Sequence, residues 1–425
     1  MTISLYDTYR TITHPLSIAL SEAQTRGVLI DIDAREELIK KMRNKIDLTL
    51  KRIQELTGTN INPNSPKQVK ELLYDKLKFP KIYNKEGRVT TNEEAILTLH
   101  KKYPTEEILS CIISYRKDTK LIGTFLDVPL ENNCIMTSYN PSGTKNYRIS
   151  SSKNLWGGGM NLQNIPIGKR AGIENIRHIF IARPGFMFVK CDLRQAEAMV
   201  VARILCRYKD YNLWNRYLQP NFDIHKWAAA PIFNVPEDKV EKHQRDVGKI
   251  SNHAGNYCSG PRVIMSTALK WGIDGIDYNV AKRIVDTRRS SMPGLVKWWH
   301  DVEKQLSKTR QLKTCMGRIR TFFGRLSDNT TIRDAVAFEP QSTVGDVCNV
   351  IFAKMYERTK RPTLPVLQVH DEVVVETRED EVDSVVELLK QVSQIPLHLN
   401  KDMDPLIIPI DIGVGKNWRD MEDVA

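Results

Sequence analysis

The sequence predicts an α+β protein, and three observations carry that prediction. Apolar residues recur at helical spacing through the first third of the chain; two strand-like runs, Phe186–Cys191 and Val366–Val375, stand far apart; and a helix-rich stretch from Asp223 to Lys308 separates them. In the first helix Leu38, Met42, Ile46, Ile53 and Leu56 form the apolar stripe. Gly58 ends it, and Asp33 with Glu36 reads as its capping box. Ser65-Pro66 opens a second helix through Val69, Leu72 and Leu73, and a third spans roughly Glu106 to Lys120. From Cys134 the texture changes. Asn140-Pro141-Ser142-Gly143 and Gly157-Gly158-Gly159 mark turns, and strands are expected at Ile179–Ile181 and Phe186–Cys191. Pro231, Pro236, Gly260-Pro261 and Pro293 punctuate the helical stretch, and the remainder mixes helix and strand around a hairpin at Asp371.

A chain of 425 residues with 41% hydrophobic content can bury a core divided among two or three lobes. A net charge of +12, with basic residues spread along the chain, suits an anionic partner such as nucleic acid, although charge alone does not decide it. Seven cysteines without a Cys-x-x-Cys pair argue against a disulfide framework or a zinc site. There is no signal peptide and no apolar run of membrane-spanning length, so an intracellular, cytoplasmic setting without a membrane partner is expected.

The chemistry concentrates in two acidic clusters and one basic stripe. Asp192 follows a strand-like run and precedes the helix-prone Gln195–Val201. A carboxylate there, with the peptide carbonyl of Leu193, can reach a metal; Asp is equally favoured as a helix N-cap, and both readings stand at this point. Asp371 and Glu372 occupy the turn of Leu367-Gln368-Val369-His370-Asp371-Glu372-Val373-Val374-Val375, where they project from a rigid edge. Arg245, Lys249 and His253 recur every fourth residue, with Asn252 and Tyr257 extending one slowly drifting helical face. Cations there can grip a triphosphate, while imidazole or phenol can stack on a base or sugar. A merely exposed basic helix accounts for the charges but not for the interleaved Asn, His and Tyr. Carboxylates gathered on a sheet, opposite cations, outline a phosphoryl-transfer site that uses two metal ions.

These strings resemble motifs A, B and C of family A DNA polymerases, the bacterial DNA polymerase I type. Arg148-Ile149-Ser150-Ser151, Asn161-Leu162-Gln163-Asn164-Ile165-Pro166, Asp223-Ile224-His225, and Arg333 followed by Gln341-Ser342-Thr343 agree with it. Arg26-Gly27-Val28, Asn64-Ser65-Pro66 and Tyr115-Arg116 resemble that family's thumb, so the likeness covers nearly the whole chain in order. It implies a right-hand architecture with an antiparallel-sheet palm, helical fingers inserted in the palm, and a helical thumb. The thumb with palm-associated segments falls at 1–135, the palm at 136–221 and 326–425, and the fingers at 222–325.

Residue by residue, the resemblance implies that Asp192, Asp371 and the Leu193 carbonyl hold two magnesium ions, for which manganese can substitute, with Glu372 as an auxiliary carboxylate. Arg245, Lys249 and His225 would contact the triphosphate, and Lys249 would also donate a proton to pyrophosphate. His253 and Tyr257 would line the nucleotide pocket, and Glu197 would exclude a ribose 2′-hydroxyl, making deoxynucleoside triphosphates the substrate. Arg148, Gln341 and His370 would contact primer–template DNA near its growing end, with Arg333, Asn161, Gln163 and Asn164 adding nucleic-acid contacts. The thumb-like region begins close to Met1, so neither proofreading nor 5′ nuclease activity is expected; the protein is expected to be a monomer, with a separate exonuclease or processivity factor as a further partner.

The chain departs from the family pattern at several positions. His253 replaces Phe or Tyr, Ala254 and Cys258 replace Gly, Leu193-Arg194 replaces Tyr-Ser, and Met199 and Gly168 replace Arg, the latter beside Lys169 and Arg170; Ala337 replaces Asn. These departures bear on sugar discrimination and fidelity and spare both aspartates. A single-subunit RNA polymerase shares the architecture, but Glu197 and the His-Asp-Glu hairpin argue against it. A catalytically idle primer–template binding factor would need no metal carboxylates.

Overall fold

The computed structural model describes residues 4–84, 86–168 and 174–424. After a short helical lead-in at Leu5–Thr8 and Tyr9–Thr13 come helices α1 (His14–Arg26) and α2 (Ile32–Thr57). The cap of α2 is Asp31, whose carboxylate accepts the Ala34 N–H at 3.0 Å, and not the expected Asp33–Glu36 box, because Asp33 already lies inside the first turn. Gly58 ends α2 at φ 66°, where a side chain would be strained. Leu38, Met42 and Ile53 are buried as the spacing predicts, whereas Leu56 is exposed. Ser65 caps a short helix at Pro66–Lys70, and α3 (Glu93–Lys102) and α4 (Glu107–Leu121) complete this region around its own core of Ile53, Leu72, Leu73, Ile96 and Ile112.

Strand β1 (Phe186–Leu193) runs into α5 (Ala196–Cys206). The expected strand at Ile179–Ile181 is replaced by a 3-10 turn, Arg177–Ile179, followed by single bridges from Phe180 to Ile30 and from Ile181 to Asn417. Side-chain packing holds this segment in place of a ladder: Phe180 meets Trp418 edge-on at 5.5 Å. The helical insertion comprises α6 (Ile224–Phe233), α7 (Lys242–Gly255), α8 (Pro261–Trp271), α9 (Tyr278–Ser291) and α10 (Pro293–Thr309). Then come α11 (Asn329–Arg358), β2 (Leu364–Val369), β3 (Glu372–Arg378), α12 (Val382–Val392), β4 (Ile410–Gly415) and β5 (Glu422–Val424).

The five strands form one antiparallel sheet in the order β5-β4-β1-β3-β2. Both faces of its middle are covered. Val189, Val373 and Val375 pack with Val347, Ile351 and Phe352 of α11, while Phe188, Val366 and Val374 pack in the core that includes Leu38 and Met42 of α2. That double burial explains why Val373-Val374-Val375 is continuous rather than alternating. At the end of the sheet remote from the acidic residues, buried Glu376 accepts from Arg26 and from Arg183, each at 2.6 Å, tying β3 to α1. The first helical region also touches the insertion, where Ser266 on α8 donates to Glu94 on α3 at 3.0 Å. No helix among the described residues is long and apolar enough to cross a membrane.

Candidate active site

The sheet register builds the acidic cluster. Asp192 on β1 lies opposite Glu372 on β3 and Asp411 on β4. Directly paired residues share a face, so three carboxylates stand in a row. Asp371 joins them from the adjoining turn, where its carbonyl accepts the Leu193 N–H at 3.0 Å and His370 adopts φ 55°. Glu372 is the first residue of β3 rather than part of the turn. Its carboxylate is already engaged, accepting from Trp418 Nε1 at 2.5 Å and lying 3.5 Å from Arg177. Asp411, which forms an ion pair with Arg194, was not singled out from the sequence; the alternation Ile408-Pro409-Ile410-Asp411-Ile412 is its one local signal.

Burial pushes Asp192 up to about 6, with Glu372, Asp371 and Asp411 adding to the rise against Lys190. Burial likewise pushes Asp371 up to about 6; Arg148 opposes the shift and Glu197 adds to it. Two such carboxylates and a peptide carbonyl are hard oxygen donors with unmet demand for positive charge, a set that fits magnesium. Among the described residues no group of three or more His, Cys, Asp or Glu side chains is placed to hold a metal ion by itself.

A second network reaches the acids from the side. Arg148 Nη2 donates to Glu197 Oε1 in a close ion pair and lies 3.4 Å from Asp371 Oδ1. Gly345 on α11 makes room for it, since a Cβ there would sit 3.1 Å from Arg148 Cγ. The Tyr257 hydroxyl donates to the other oxygen of Glu197 at 2.6 Å. Burial, reinforced by Glu197, holds that phenol well above its ordinary range, so it remains a donor. The structure therefore brings together Arg148, Glu197, Tyr257 and Asp371.

On α7, Arg245, Lys249 and His253 do share the accessible face, while Val247, Gly248, Ile250 and Ser251 point inward. Asn252 and Tyr257 do not extend the stripe. Asn252, seven residues from Arg245 and so within about 20° of it around the helix, is nonetheless buried, donating to the Ile224 carbonyl at 2.9 Å and lying 3.0 Å from His225 Nδ1. The helix ends at Gly255, so Tyr257 sits beyond it. Arg245 Nε donates to Asp223, the cap of α6, at 2.7 Å. His225 is drawn down to about 4 by burial first, then by Arg245 and His253, and is neutral at pH 7. Trp271, a lone aromatic without a pattern to mark it, lies 5.8 Å from both Lys249 Nζ and the His253 ring.

The expected nucleic-acid contacts divide. His370 is exposed at the hairpin tip, and Arg333 is half-buried one turn into α11, donating to the Asn329 carbonyl at 3.3 Å. Gln341 accepts from Asn146 at 2.7 Å, and Asn146 in turn accepts from Arg320 at 2.7 Å, two residues that the motifs do not mark. Gln163 reaches the Gln368 carbonyl at 3.5 Å. Asn161 is occupied as a cap, accepting the Gln163 N–H at 3.0 Å and the Ser151 hydroxyl at 2.9 Å. Asn164 lines a cavity together with Arg116 and Lys117. Lys169 and Arg170 lie outside the described residues.

Comparison with known proteins gives a consistent result. The family described as DNA polymerase family A matches residues 32–420. DNA polymerase I of Chloroflexus aurantiacus is 29% identical, over 99% of this chain and 44% of that protein. The thermostable DNA polymerase I of Thermus aquaticus is 29% identical, over 96% of this chain and 48% of that protein. The chain thus spans slightly under half the length of these relatives. Among solved structures, the POL domain of Pol1 from M. smegmatis, in complex with DNA primer-template and dNTP, superposes with a TM-score of 0.82 at 25% identity, covering 96% of this chain and 70% of that one.

Proposed function

Because the chain belongs to DNA polymerase family A, we propose that it extends a primer 3′-hydroxyl with deoxynucleoside triphosphates along a DNA template. The observation that carries this reading is the convergence of Asp192 and Asp371 at one end of the sheet, linked through Arg148 and Glu197 to Tyr257 just beyond the cationic α7. In this reading the first helical region, 1–135, is the thumb. The sheet and its supports, 136–221 and 326–425, are the palm, and the insertion, 222–325, is the fingers.

Asp192, Asp371 and the Leu193 carbonyl would hold two magnesium ions, with manganese as a substitute. The chemistry supplied by ions bound there is Lewis acidity toward the 3′-hydroxyl and the departing pyrophosphate. Arg245 and Lys249 bind the triphosphate through charge-assisted hydrogen bonds. His225, neutral at pH 7, contributes a hydrogen bond rather than a charge. Lys249 gives a proton to the leaving pyrophosphate. Glu197, gripped on one oxygen by Arg148 and on the other by Tyr257, is a fixed wall against a ribose 2′-hydroxyl. Arg148, Gln341 and His370, with Arg333, Asn161, Gln163 and Asn164 behind them, hold the primer–template. Glu372, engaged by Trp418 and Arg177, is an auxiliary carboxylate beside Asp192.

An end-labelled primer on a longer template tests the proposal. With magnesium, deoxynucleotides should lengthen the primer, ribonucleotides should do so poorly, and Asp371→Ala should abolish extension. Shortening of the primer without nucleotides is not expected from these 425 residues. Equal use of ribonucleotides would favour the RNA polymerase reading, and binding without extension would favour an idle primer–template factor.

A further inference from the structure

Arg288, on α9, is only 3% exposed, and among the described residues the one charge partner that acts on it is the Tyr217 phenol rather than a carboxylate. Its Nη2 donates to Asn256 Oδ1 at 2.6 Å in a buried contact. Nε and Nη1 meet no acceptor among the described residues. The Trp227 ring lies 5.8 Å from the guanidinium carbon, and burial draws the group down to about 9. A buried cation with so little compensation costs stability that an apolar side chain of similar size would avoid. Packing alone therefore does not account for it.

What Arg288 holds is the turn after α7. Asn256 is pinned twice: its side chain accepts from Arg288, and its carbonyl accepts the Trp299 Nε1–H of α10 at 3.0 Å. Gly255 admits α9 to this contact, since a Cβ there would lie 3.1 Å from Arg288 Cγ. The turn continues through Cys258 at φ 54°, a left-handed conformation that needs support from its neighbours. Between these points sits Tyr257, donating to Glu197 at 2.6 Å, and Glu197 in turn takes Arg148, which reaches Asp371.

We propose that Arg288 is a positioning residue for nucleotide selection: through Asn256 it fixes the turn that presents Tyr257 to Glu197, and so sets how strongly the site rejects a ribose 2′-hydroxyl. This rests on reading Glu197 and Tyr257 as walls of the nucleotide pocket. Arg288 touches neither substrate nor reacting atoms.

The test uses the full chain with primer–template and magnesium, measuring kcat and KM for a deoxynucleotide and the matching ribonucleotide. Arg288→Met removes the donor and keeps the apolar stem; Arg288→Lys keeps a cation and a donor; Asn256→Leu removes the acceptor. Arg288→Met and Asn256→Leu should each raise the deoxynucleotide KM and lower the deoxy-to-ribo preference by about tenfold, the scale of one buried charge-assisted hydrogen bond, with little change in kcat. Arg288→Lys should recover much of the preference, and the double variant should be no worse than either single one. A purely structural role would lower Tm and the active fraction, which scales kcat for both nucleotides alike and leaves their ratio unmoved. A preference within about twofold of the wild type in Asn256→Leu overturns the proposal, and that variant decides the matter if Arg288→Met does not fold. Absence of extension by the unaltered protein would instead sink the polymerase reading on which the proposal stands.

Discussion

The amide of Leu193 donates to the carbonyl of Asp371 at 3.0 Å, so the backbone carrying one aspartate is hydrogen-bonded to the residue beside the other. The two acids are separated by the whole helical insertion in sequence, yet one backbone hydrogen bond ties their neighbouring peptides together. Geometry of this kind suits cations shared between fixed carboxylates, because reorganisation is avoided when charge develops.

Asp192→Asn and Asp371→Asn should therefore separate activity from stability. Each change removes a charge that a divalent ion needs, so primer extension should fall by about 10³-fold or more. The same charges are disfavoured by the fold, since burial raises both groups to about 6. Melting in EDTA at pH 7.5 should show Tm unchanged or higher in both variants. A clear loss of Tm would mean that the carboxylates are structural.

The same shifts fix a pH dependence. Both acids have folded-state values near 6 against an ordinary carboxylate value of about 4, so the folded chain holds their protons more tightly than the unfolded one. Without divalent ions, their contribution to stability is greatest in acid and is lost as pH rises through about 6. Magnesium requires the ionised forms, so its stabilising effect runs the other way. The magnesium-induced rise in Tm should be small at pH 5 and reach its plateau by about pH 7.5. Equal rises at both values would show that magnesium binds elsewhere.

Gly248 sets the approach of α6 to α7. A Cβ at this position would sit 2.0 Å from the His225 carbonyl oxygen, a backbone atom that cannot turn aside. Gly248→Ala should force the helices apart at a cost of about 1–3 kcal/mol and raise the nucleotide KM, because His225 and Arg245 would separate. Gly345→Ala, facing the flexible Arg148 Cγ at 3.1 Å, should be milder. If urea melts ranked the two variants in the reverse order, the close approach at Gly248 would not be the limiting contact.

Features set by local periodicity were legible in the sequence: the stripe of α2, the cationic face of α7 and the strand that carries Asp192 near its end. What escaped depends on partners far along the chain. Asp411 stands beside Asp192 only through the β1–β4 register, which no local pattern encodes. Asn252 looked like part of the α7 face, but its amide satisfies the carbonyl of Ile224. Asp31 and Asp33 are equally good caps by residue type, and the chain's path into α2 selects the first. Asn161, chosen for its motif, completes a turn with Ser151 and Gln163.

Glu376 offers a test of stability remote from the chemistry. It pairs with Phe188 on β1, four residues before Asp192, and its buried carboxylate accepts from Arg26, from the Arg183 side chain and from the Arg183 amide at 2.9 Å. Glu376→Gln would leave two largely buried guanidinium groups facing a neutral amide, and removing one partner of such a cluster costs about 3–5 kcal/mol. Urea unfolding should register that loss, while kcat per active molecule stays at the wild-type value. A loss below about 1 kcal/mol, the range of exposed ion pairs, would mean that α1 is held to β3 by apolar packing and that the charges contribute little.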